Sequence, residues 1–240
     1  MEGLQNKVAV VTGGASGIGF GIASLFAASG ARVAIIDVDS QGGQKAQRQI
    51  VADNGTCLFV RADVSRNGDV ADAARQVTQE LGTIHVLINN AGIRILGTAI
   101  EITEEQWDRV IDVDLKGVFL FSRACIPVMT RNGGGVIINI SSSAAYGREN
   151  RAAYSAAKAG VIGVTKAMAL DHRKSHIRVN CLIPGFTLTG MTRNYPEARL
   201  QEMAAQTVSG RCATPEDVAR AVLFLSSKAA ETITGAVLEM

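Results

Sequence analysis

Apolar residues occur along this chain in short runs that alternate with longer segments of helix length. Most of the runs are continuously apolar and rich in β-branched residues, which is typical of strands buried on both faces of a parallel sheet. Each run therefore predicts one strand. The seven predicted strands are KVAVVTG from Lys7, RVAIID from Arg32, TCLFVRADV from Thr56, IHVLINNAG from Ile84, GVIINISS from Gly135, IRVNCLIPG from Ile177 and GAVLEM from Gly235.

Two of the segments between the runs have recognisable helix starts. TEEQ at Thr103 is a capping box, and TPED at Thr214 places a cap, a proline and two acids at the start of a helix. The alternation of strands and helices continues without a Pro- or Ser-rich linker or an internal repeat. We therefore predict an α/β fold in a single domain, residues 1–240: a doubly wound, Rossmann-type parallel sheet of about seven strands in the order 3-2-1-4-5-6-7, with helices on both faces.

Composition and charge narrow the class of protein. The chain has 240 residues, of which 47% are hydrophobic and 19% charged, and its net charge of +2 predicts no nucleic-acid partner. The sequence has no charged-then-apolar leader and no apolar run of membrane-spanning length, so we expect a cytoplasmic protein without membrane contact. The cysteines and histidines lack the spacing of metal ligands, so we expect buried thiols and no metal site. Trp107, the only tryptophan, is expected in the core.

The turn after the first strand, TGGASGIG at residues 12–19, predicts a phosphate site. Between a strand and a helix, a glycine-rich turn brings backbone N–H groups and the positive helix end towards a pyrophosphate. In this interpretation Gly13 makes the turn, Gly17 admits the phosphates and Gly19 lets the helix pack on the strand. The glycine spacing is wider than that of the common dinucleotide fingerprint, so an ordinary glycine-rich loop stays open as an alternative.

Asp37 closes the second predicted strand and bears on which dinucleotide is bound. A carboxylate at this point accepts a hydrogen bond from the ribose 2′-hydroxyl of NAD and repels the 2′-phosphate of NADP. Neither residues 14–17 nor the residues directly after Asp37 offer a cation to that phosphate. An acid at a helix start is the alternative. Turn and acid together predict a dinucleotide site that takes NAD rather than NADP.

AAYSAAKAG, residues 152–160, places a phenol and an ammonium four residues apart. In a helix, which the alanines favour, Tyr154 and Lys158 lie on one face, one turn apart. One interpretation is a surface helix with a tyrosine over a lysine stem. The other is an acid–base pair, because a nearby cation favours the phenolate over the phenol.

Five motifs taken together resemble the short-chain dehydrogenase/reductase family over nearly the whole chain. They are TGGASGIG, NNAG at 89–92, NIS at 139–141, YSAAK at 154–158 and IPG at 183–185, and IPGFTLTGMTR is most similar to 3-oxoacyl-ACP reductase-like members. The resemblance implies an oxidoreductase that transfers hydride between a nicotinamide cofactor and a ketone or secondary alcohol, with a 3-oxoacyl compound as one candidate. A sugar or polyol dehydrogenase of the same fold and a non-catalytic NAD-binding regulatory protein stay open as alternatives.

The resemblance also assigns catalytic roles. Tyr154 matches the acid–base residue, Lys158 the residue that holds the nicotinamide ribose, and Ser142 the residue that hydrogen-bonds the substrate oxygen. Ser141 and Ser143 stay open as alternatives to Ser142.

Cofactor contacts follow from the same resemblance. Asp63 and Val64 match a pair that holds the adenine, Asn89 a residue beside a ribose, and Thr187 the position whose backbone meets the nicotinamide carboxamide. The full set expected to bind the cofactor is Gly13, Ser16, Gly17, Ile18, Gly19, Asp37, Asp63, Val64, Asn89, Tyr154, Lys158, Pro184, Gly185 and Thr187.

One position departs from the family pattern. Where resembling proteins carry Asn in the fourth helix, IDVDLKGVF has Asp114. The family's Asn helps to hold a water in a proton relay behind Lys158, partly through its backbone carbonyl. Asp keeps that carbonyl but loses the amide donor and adds a negative charge. Pairing with Lys158, protonation and a weakened relay are all open; we expect retained activity with an altered pH optimum.

The substrate is expected to be a small carbonyl or alcohol compound that meets Ser142, Tyr154 and Tyr146. Substrate-facing positions fall in residues 94–96, 143–148 and 186–195, and residues 191–206 predict a mobile helical lid. The arginines in these segments, which are Arg94, Arg148 and Arg193, are interpreted as solvated loop residues.

Two helices predict the assembly. The helix from Thr103 to about Met129 is apolar on several faces, and the YSAAK helix is small and apolar beyond Lys158. The resemblance implies that these helices pair between subunits in a homotetramer; burial within one subunit is the alternative. The chain stops at Met240, where resembling proteins run on, so we expect a C-terminal segment to be absent.

Overall fold

The computed structural model describes residues 4–190, 192 and 195–240. Its strands form one parallel sheet in the order β3-β2-β1-β4-β5-β6-β7, so the predicted topology is confirmed. The strands are β1 (Val8–Thr12), β2 (Arg32–Asp37), β3 (Thr56–Arg61), β4 (Val86–Asn89), β5 (Gly135–Ile140), β6 (Ile177–Ile183) and β7 (Val237–Glu239). Each lies within one of the seven apolar runs.

The helices connect these strands, and both predicted helix starts form. The Thr103 hydroxyl accepts from the Gln106 N–H, and the Thr214 hydroxyl accepts from the Asp217 N–H, as capping boxes require. The helices are α1 (Gly17–Ala28), α2 (Ser40–Ala52), α3 (Asn67–Leu81), α4 (Glu104–Ile111), α5 (Gly117–Arg131), α6 (Ala152–Asp171), α7 (Glu197–Ala205) and α8 (Pro215–Ser226).

The sheet is buried on both faces. Val8 and Val10 of β1 belong to a core shared with α3, α5 and α6, whereas Ala9 and Val11 belong to a core shared with α1, α2 and α8. Because successive side chains of a strand point to opposite faces, both sets must be apolar. This explains why the strands are continuous apolar runs in the sequence.

The long fourth helix is interrupted by a π-helical turn. Asp112–Lys116 forms this turn between α4 and α5, a feature that is often found at functional sites. The expectation that Trp107 lies in the core is wrong: its side chain is 38% exposed. The physical reason is that α4 buries only Val110, so the neighbouring turn remains at the surface.

The sheet order opens a cleft at one edge. β1 pairs with β2 on one side and with β4 on the other, so the chain crosses in opposite directions from this point. In a doubly wound sheet, ligands bind at such a point, beyond the carboxyl ends of the strands.

The predicted lid, residues 191–206, contains Met191, Arg193 and Asn194, which lie outside the described residues. Its described part includes α7, which buries no residue. Within the described ranges, no helix is both long and apolar enough to cross a membrane.

Candidate active site

A cleft of ≈ 550 Å³ lies at the carboxyl ends of the strands. Loops after β1, β2, β3, β4, β5 and β6 all contribute to its walls. It brings together most of the residues predicted from the sequence, namely Gly13, Ser16, Gly17, Ile18, Asp37, Asp63, Val64, Ser142, Tyr154, Lys158, Pro184, Gly185 and Thr187.

The glycine-rich turn fits a phosphate group. Gly13 has a φ of +64°, and a Cβ added to it would lie 2.8 Å from the Ala91 Cα, so only glycine is accommodated there. Ser16 precedes α1 but its side chain does not cap the helix. The helix α1 begins at Gly17 in the cleft wall, and its first N–H groups have no side-chain acceptor from Ser16. This is the donor set that a pyrophosphate needs.

Asp37 lies at the next position along the cleft, at the end of β2. Its Oδ2 accepts from the Ala15 N–H at 3.1 Å and its Oδ1 accepts from the Asp39 N–H at 3.1 Å. These two bonds hold the carboxylate beside the glycine-rich turn, and each oxygen retains further acceptor capacity. The carboxylate is thus positioned to accept from a hydroxyl.

Asp63 forms the far wall of the same end. It accepts from the Ser65 hydroxyl at 2.6 Å, and the Arg109 guanidinium from α4 lies 3.3 Å from its Oδ2. Partial burial works against ionisation, but the Ser65 hydrogen bonds and the charge of Arg109 outweigh it, so the pKa of Asp63 is lowered. Val64 beside it is buried and completes this wall.

The candidate catalytic residues come from the β5–α6 region. Ser142 lines the cleft and its hydroxyl accepts from the Ala144 N–H at 3.2 Å. Ser141 is buried and donates to the Lys158 carbonyl at 2.8 Å, whereas Ser143 is exposed at the rim. All three serines line the cleft, and Ser142 differs from the other two in being half-buried.

Tyr154 and Lys158 face the cleft from one side of α6. The Lys158 ammonium lies over the Tyr154 ring, 5.6 Å from its centroid, and donates to the Ile140 carbonyl at 3.2 Å. Lys158 is only 4% exposed, so its charge acts on the phenol in a poorly solvated setting. The predicted one-turn spacing is therefore realised in a helix.

Asp114 lies directly behind Lys158. Its Oδ2 is 3.2 Å from the Lys158 Nζ, and its Oδ1 accepts from the Ile93 N–H at 2.8 Å. Both residues are buried. A Cβ added to Gly92 would lie 2.7 Å from the Asp114 Oδ2, so the loop after β4 packs closely on this ion pair.

The ion pair sets the charge state behind the cleft. Burial raises the pKa of Asp114 more than the Lys158 ammonium and the Ile93 N–H lower it. Burial alone would lower the pKa of Lys158, but the charge and hydrogen bond of Asp114 together with the charges of Tyr154 and Cys181 outweigh burial, so the pKa of Lys158 is raised. Lys158 therefore remains an ammonium throughout the neutral range.

Besides Asp114, which lies behind Lys158, three predicted site residues do not line the cleft. Asn89 is buried under it, where its Nδ2 donates to the Ser122 hydroxyl and the Asn139 Oδ1. Gly19 lies beneath the glycine-rich turn, since a Cβ there would be 2.1 Å from the Gly13 carbonyl oxygen, and this agrees with its predicted packing role. Tyr146 is 62% exposed and donates to the Glu239 carboxylate, because its 3₁₀ turn directs it outwards.

Sequence reasoning missed other residues of the cleft wall. Asn90, rather than Asn89, lines it, and its Nδ2 donates to the Thr12 and Gly13 carbonyls. Arg109 and Arg151 also line it. Arg151 directly precedes α6 with a non-helical backbone, so no helical spacing relates it to Tyr154 and no short motif signals its place in the cleft.

Two of the loop arginines interpreted as solvated residues line the cleft; Arg148 is exposed, which agrees with that interpretation, and Arg94 is half-buried. Arg94 and Arg148 both line the cleft, because the loops after β4 and β5 turn back over the carboxyl end of the sheet. Arg193 lies outside the described residues.

Comparison with known proteins agrees with this geometry. A family model described as Enoyl-(Acyl carrier protein) reductase matches residues 13–240. The 3-oxoacyl-[acyl-carrier-protein] reductase FabG of Chlamydia muridarum is 40% identical over 239 residues, which cover 99% of this chain and 96% of that protein. The cis-4-hydroxycyclohexanecarboxylate dehydrogenase of Sinomonas cyclohexanicum is also 40% identical, with 99% and 96% covered.

Two further similarities concern other substrates. The D-threitol dehydrogenase of Mycolicibacterium smegmatis is 38% identical and covers 97% of this chain and 90% of its own length. The crystal structure of levodione reductase superposes with a TM-score of 0.93 at 29% identity, covering 99% of this chain and 97% of that one.

Fold, cleft and similarities together define a nicotinamide-dependent oxidoreductase of the Rossmann type. The chain belongs to the short-chain dehydrogenase/reductase family and acts on a CH–OH or ketone group.

Proposed function

We propose that this protein is an NAD-preferring oxidoreductase that interconverts a ketone and the corresponding secondary alcohol, with Tyr154 as its acid–base residue. The observation that carries the proposal is a single cleft lined by Ser142, Tyr154 and Lys158 at one end and by Asp37 and the α1 N-terminus at the other. One end supplies the groups for proton transfer, and the other fits a dinucleotide.

Each residue has a distinct part in the proposed reaction. The bound nicotinamide supplies or accepts the hydride. The Tyr154 hydroxyl gives its proton to the substrate oxygen during reduction and takes a proton from the alcohol during oxidation. Ser142 donates a hydrogen bond to the same oxygen and stabilises its developing charge. Lys158 holds the nicotinamide ribose and, as a buried cation, favours the phenolate.

The role of Asp114 follows from its contact with Lys158. Its buried carboxylate offsets part of the ammonium's charge, so we propose retained activity with a pH profile displaced from that of an Asn-containing site. The Ile93 N–H and the close packing of Gly92 hold this carboxylate in place.

Asp37 supports NAD over NADP. Its carboxylate is held by the Ala15 and Asp39 N–H groups at the end of β2, where it offers an acceptor to a 2′-hydroxyl and repels a 2′-phosphate. Pro184, Gly185 and Thr187 line the opposite wall and are proposed to meet the nicotinamide.

The substrate class extends over small carbonyl and alcohol compounds. The likeness to FabG supports a 3-oxoacyl compound, and the likeness to D-threitol dehydrogenase supports a polyol as the second candidate. A non-catalytic NAD-binding role is disfavoured, because Ser142, Tyr154 and Lys158 are all present and share one cleft.

The proposal also covers the oligomeric state of the protein, its lid and its cellular compartment. Trp107 is 38% and Phe119 44% exposed on α4 and α5, which supports pairing of these helices between subunits in a homotetramer. We propose that α7 acts as part of a lid, since it buries no residue. A cytoplasmic location is supported by the four unpaired, buried cysteine thiols.

The experiment that tests the proposal is NADH oxidation across a panel of ketones, 3-oxoacyl thioesters and keto sugars, with NADPH as the comparison cofactor. Turnover that is faster with NADH than with NADPH is the expected result. Binding of NADH without turnover of any carbonyl compound would overturn the catalytic assignment in favour of a regulatory role.

A further inference from the structure

Three arginines line the catalytic end of the cleft. Arg94 comes from the loop after β4, and Arg148 and Arg151 come from the segment between β5 and α6. Arg151 directly precedes α6, three residues before Tyr154. The reaction as proposed above uses none of these guanidinium groups.

Backbone contacts hold the two arginine-bearing segments together. Gly97 and Arg151 form a parallel β-bridge, and the Gly97 N–H donates to the Asn150 carbonyl at 3.0 Å. Because both segments are tied at this point, the guanidinium groups are presented from one wall rather than from independent loops.

Within the described ranges, Arg148 and Arg151 are not paired with acids of the cleft lining. Among the described residues that line the cleft, the acids are Asp37 and Asp63, which belong to the cofactor end. Neither the Arg148 nor the Arg151 side chain forms an ion pair within the part of the chain that the structure describes. Burial and the like charges of Arg148 and Arg94 lower the pKa of Arg151. Arg151 is half-buried and Arg148 is exposed, and like charges near one another are stabilised when an anion binds between them.

The anion in question is not the cofactor pyrophosphate. The donors for that group are at the N-terminus of α1, beside Gly13 and Gly17, whereas Arg151 interacts with Tyr154 and Arg148. Phe186 and Tyr195 also line the cleft, and their rings stack with centroids 5.6 Å apart. A ligand at this end of the cleft can therefore meet both aromatic surface and cations.

We propose that the substrate of this enzyme is a ketone or secondary alcohol that also carries a carboxylate, and that Arg148 and Arg151 bind that carboxylate while Tyr154 contacts the reacting oxygen. This inference rests on the proposed function and narrows its substrate class. A planar carboxylate matches the paired donors of a guanidinium. Arg94 adds its charge to the same wall.

The test compares 4-oxocyclohexanecarboxylate with its primary amide, which has nearly the same shape and no charge. The protein and the variants Arg148→Gln, Arg151→Gln, their double variant and Arg151→Lys are assayed with NADH and with NADPH. Arg131→Gln, an exposed arginine at the end of α5 outside the cleft, is the matched control. Circular dichroism and thermal melts identify any variant that fails to fold.

We expect the unmodified protein to favour the acid over the amide in kcat/KM by about tenfold or more, as for hydrogen bonds to charged groups. The double variant loses that preference through a higher KM for the acid, Arg151→Lys retains part of it, and Arg131→Gln retains all of it. Equal use of acid and amide by the unmodified protein overturns the inference and leaves the proposed oxidoreductase intact.

Failure of the proposed function gives a different pattern. If neither compound turns over, that function fails for this substrate type, and calorimetry with cyclohexanecarboxylate and cyclohexanecarboxamide decides the inference. Binding of the acid that is lost in the double variant supports an anion site at Arg148 and Arg151. Equal binding of acid and amide, or no binding of either, overturns it.

Discussion

The two ends of the cleft carry opposite charge and hold it in different ways. At the cofactor end, Asp37 is fixed by two backbone N–H groups, and Asp63 is fixed by Ser65 and Arg109. At the substrate end, Arg148 and Arg151 have no ion-pair partner among the described residues. The charged side chains of the cofactor end are therefore held in place before the cofactor binds, whereas Arg148 and Arg151 at the substrate end are not held by ion pairs with described residues. Pre-organisation lowers the ordering cost of binding, so we expect the cofactor to bind first.

The largest effect is expected where the two ends meet, at Tyr154. Tyr154→Phe removes the proton donor but keeps the ring beside Lys158, so kcat should fall by about a thousandfold while NADH still binds. Steady-state kinetics and NADH fluorescence titration measure the two effects. Tyr146→Phe, which alters an exposed phenol outside the cleft, is the control. Retention of more than about a tenth of kcat in Tyr154→Phe would contradict the acid–base role.

The next largest effect is a change of cofactor preference, and it concerns only the cofactor end of the cleft. Asp37→Ser removes the carboxylate and leaves Arg61, its register neighbour on β3, as the nearest strand-end cation. The ratio of kcat/KM for NADPH to that for NADH should rise by about tenfold to a hundredfold, because repulsion of the 2′-phosphate is lost.

The control for this change is the adjacent Asp39. Asp39→Ser removes a second nearby carboxylate while serine can still cap α2, as Asp39 does through the Gln41 and Gly42 N–H groups. An equal change of cofactor preference in both variants would show a general charge effect rather than a role of Asp37.

A smaller effect is expected from the charge behind the cleft. Asp114→Asn leaves the Lys158 ammonium without its 3.2 Å partner, so more positive charge acts on Tyr154. The pH profile of alcohol oxidation should move to lower pH by on the order of one unit. Asp112→Asn, which breaks the exposed pair with Lys116 two residues earlier, should leave the profile in place. An inactive protein that becomes active in Asp114→Asn would contradict retained activity.

The same substitution changes the pH dependence of stability. The folded state raises the pKa of Asp114 above its ordinary value of 3.8, so the folded protein holds this proton more tightly than the unfolded chain. Its contribution is therefore fully present below that value and is lost as the pH rises through the folded pKa. Thermal melts from pH 3 upwards should show this slope in the unmodified protein and its absence in Asp114→Asn.

The smallest effect is a loss of stability, expected at Asp63 at the cofactor end of the cleft. Arg109→Gln removes a half-exposed partner of Asp63, so the free energy of unfolding at pH 7 should fall by less than about 1 kcal/mol. Because the pKa of Asp63 is lowered in the folded state, this contribution is present at neutral pH and is lost as the pH falls through that pKa. Melts at pH 7 and pH 3 measure it, with Arg75→Gln on the surface of α3 as control. An equal loss at both pH values would assign the effect to packing.

The sheet was predictable because its physics is local. Each strand is a continuous apolar run, and each capping box lies within four residues. Residues that are close in sequence were therefore sufficient to predict these elements. The pair of Tyr154 and Lys158 was accessible for the same reason, since one helical turn joins them.

The residues whose positions were not predicted depend on contacts between distant segments. The segments that carry Arg94 and Arg148 meet where Gly97 pairs with Arg151, a contact between two loops that no short motif encodes. Trp107 is exposed because α4 buries only Val110. This depends on how α4 packs on the rest of the fold, which the residue type alone does not indicate. Asn89 points into a buried network with Asn139, which is set by the register of β4 on β5.

The π-helical turn at Asp112–Lys116 makes the number of residues in this stretch as important as their identity. An α-helix advances by about 100° per residue, so deleting one residue here would rotate α4 relative to α5 by roughly that angle. Asp114 would then turn away from Lys158, and Arg109 would leave Asp63, although every side chain involved was still encoded. The segment is thus a spacer of fixed length. It tolerates many substitutions but neither the deletion nor the insertion of a residue.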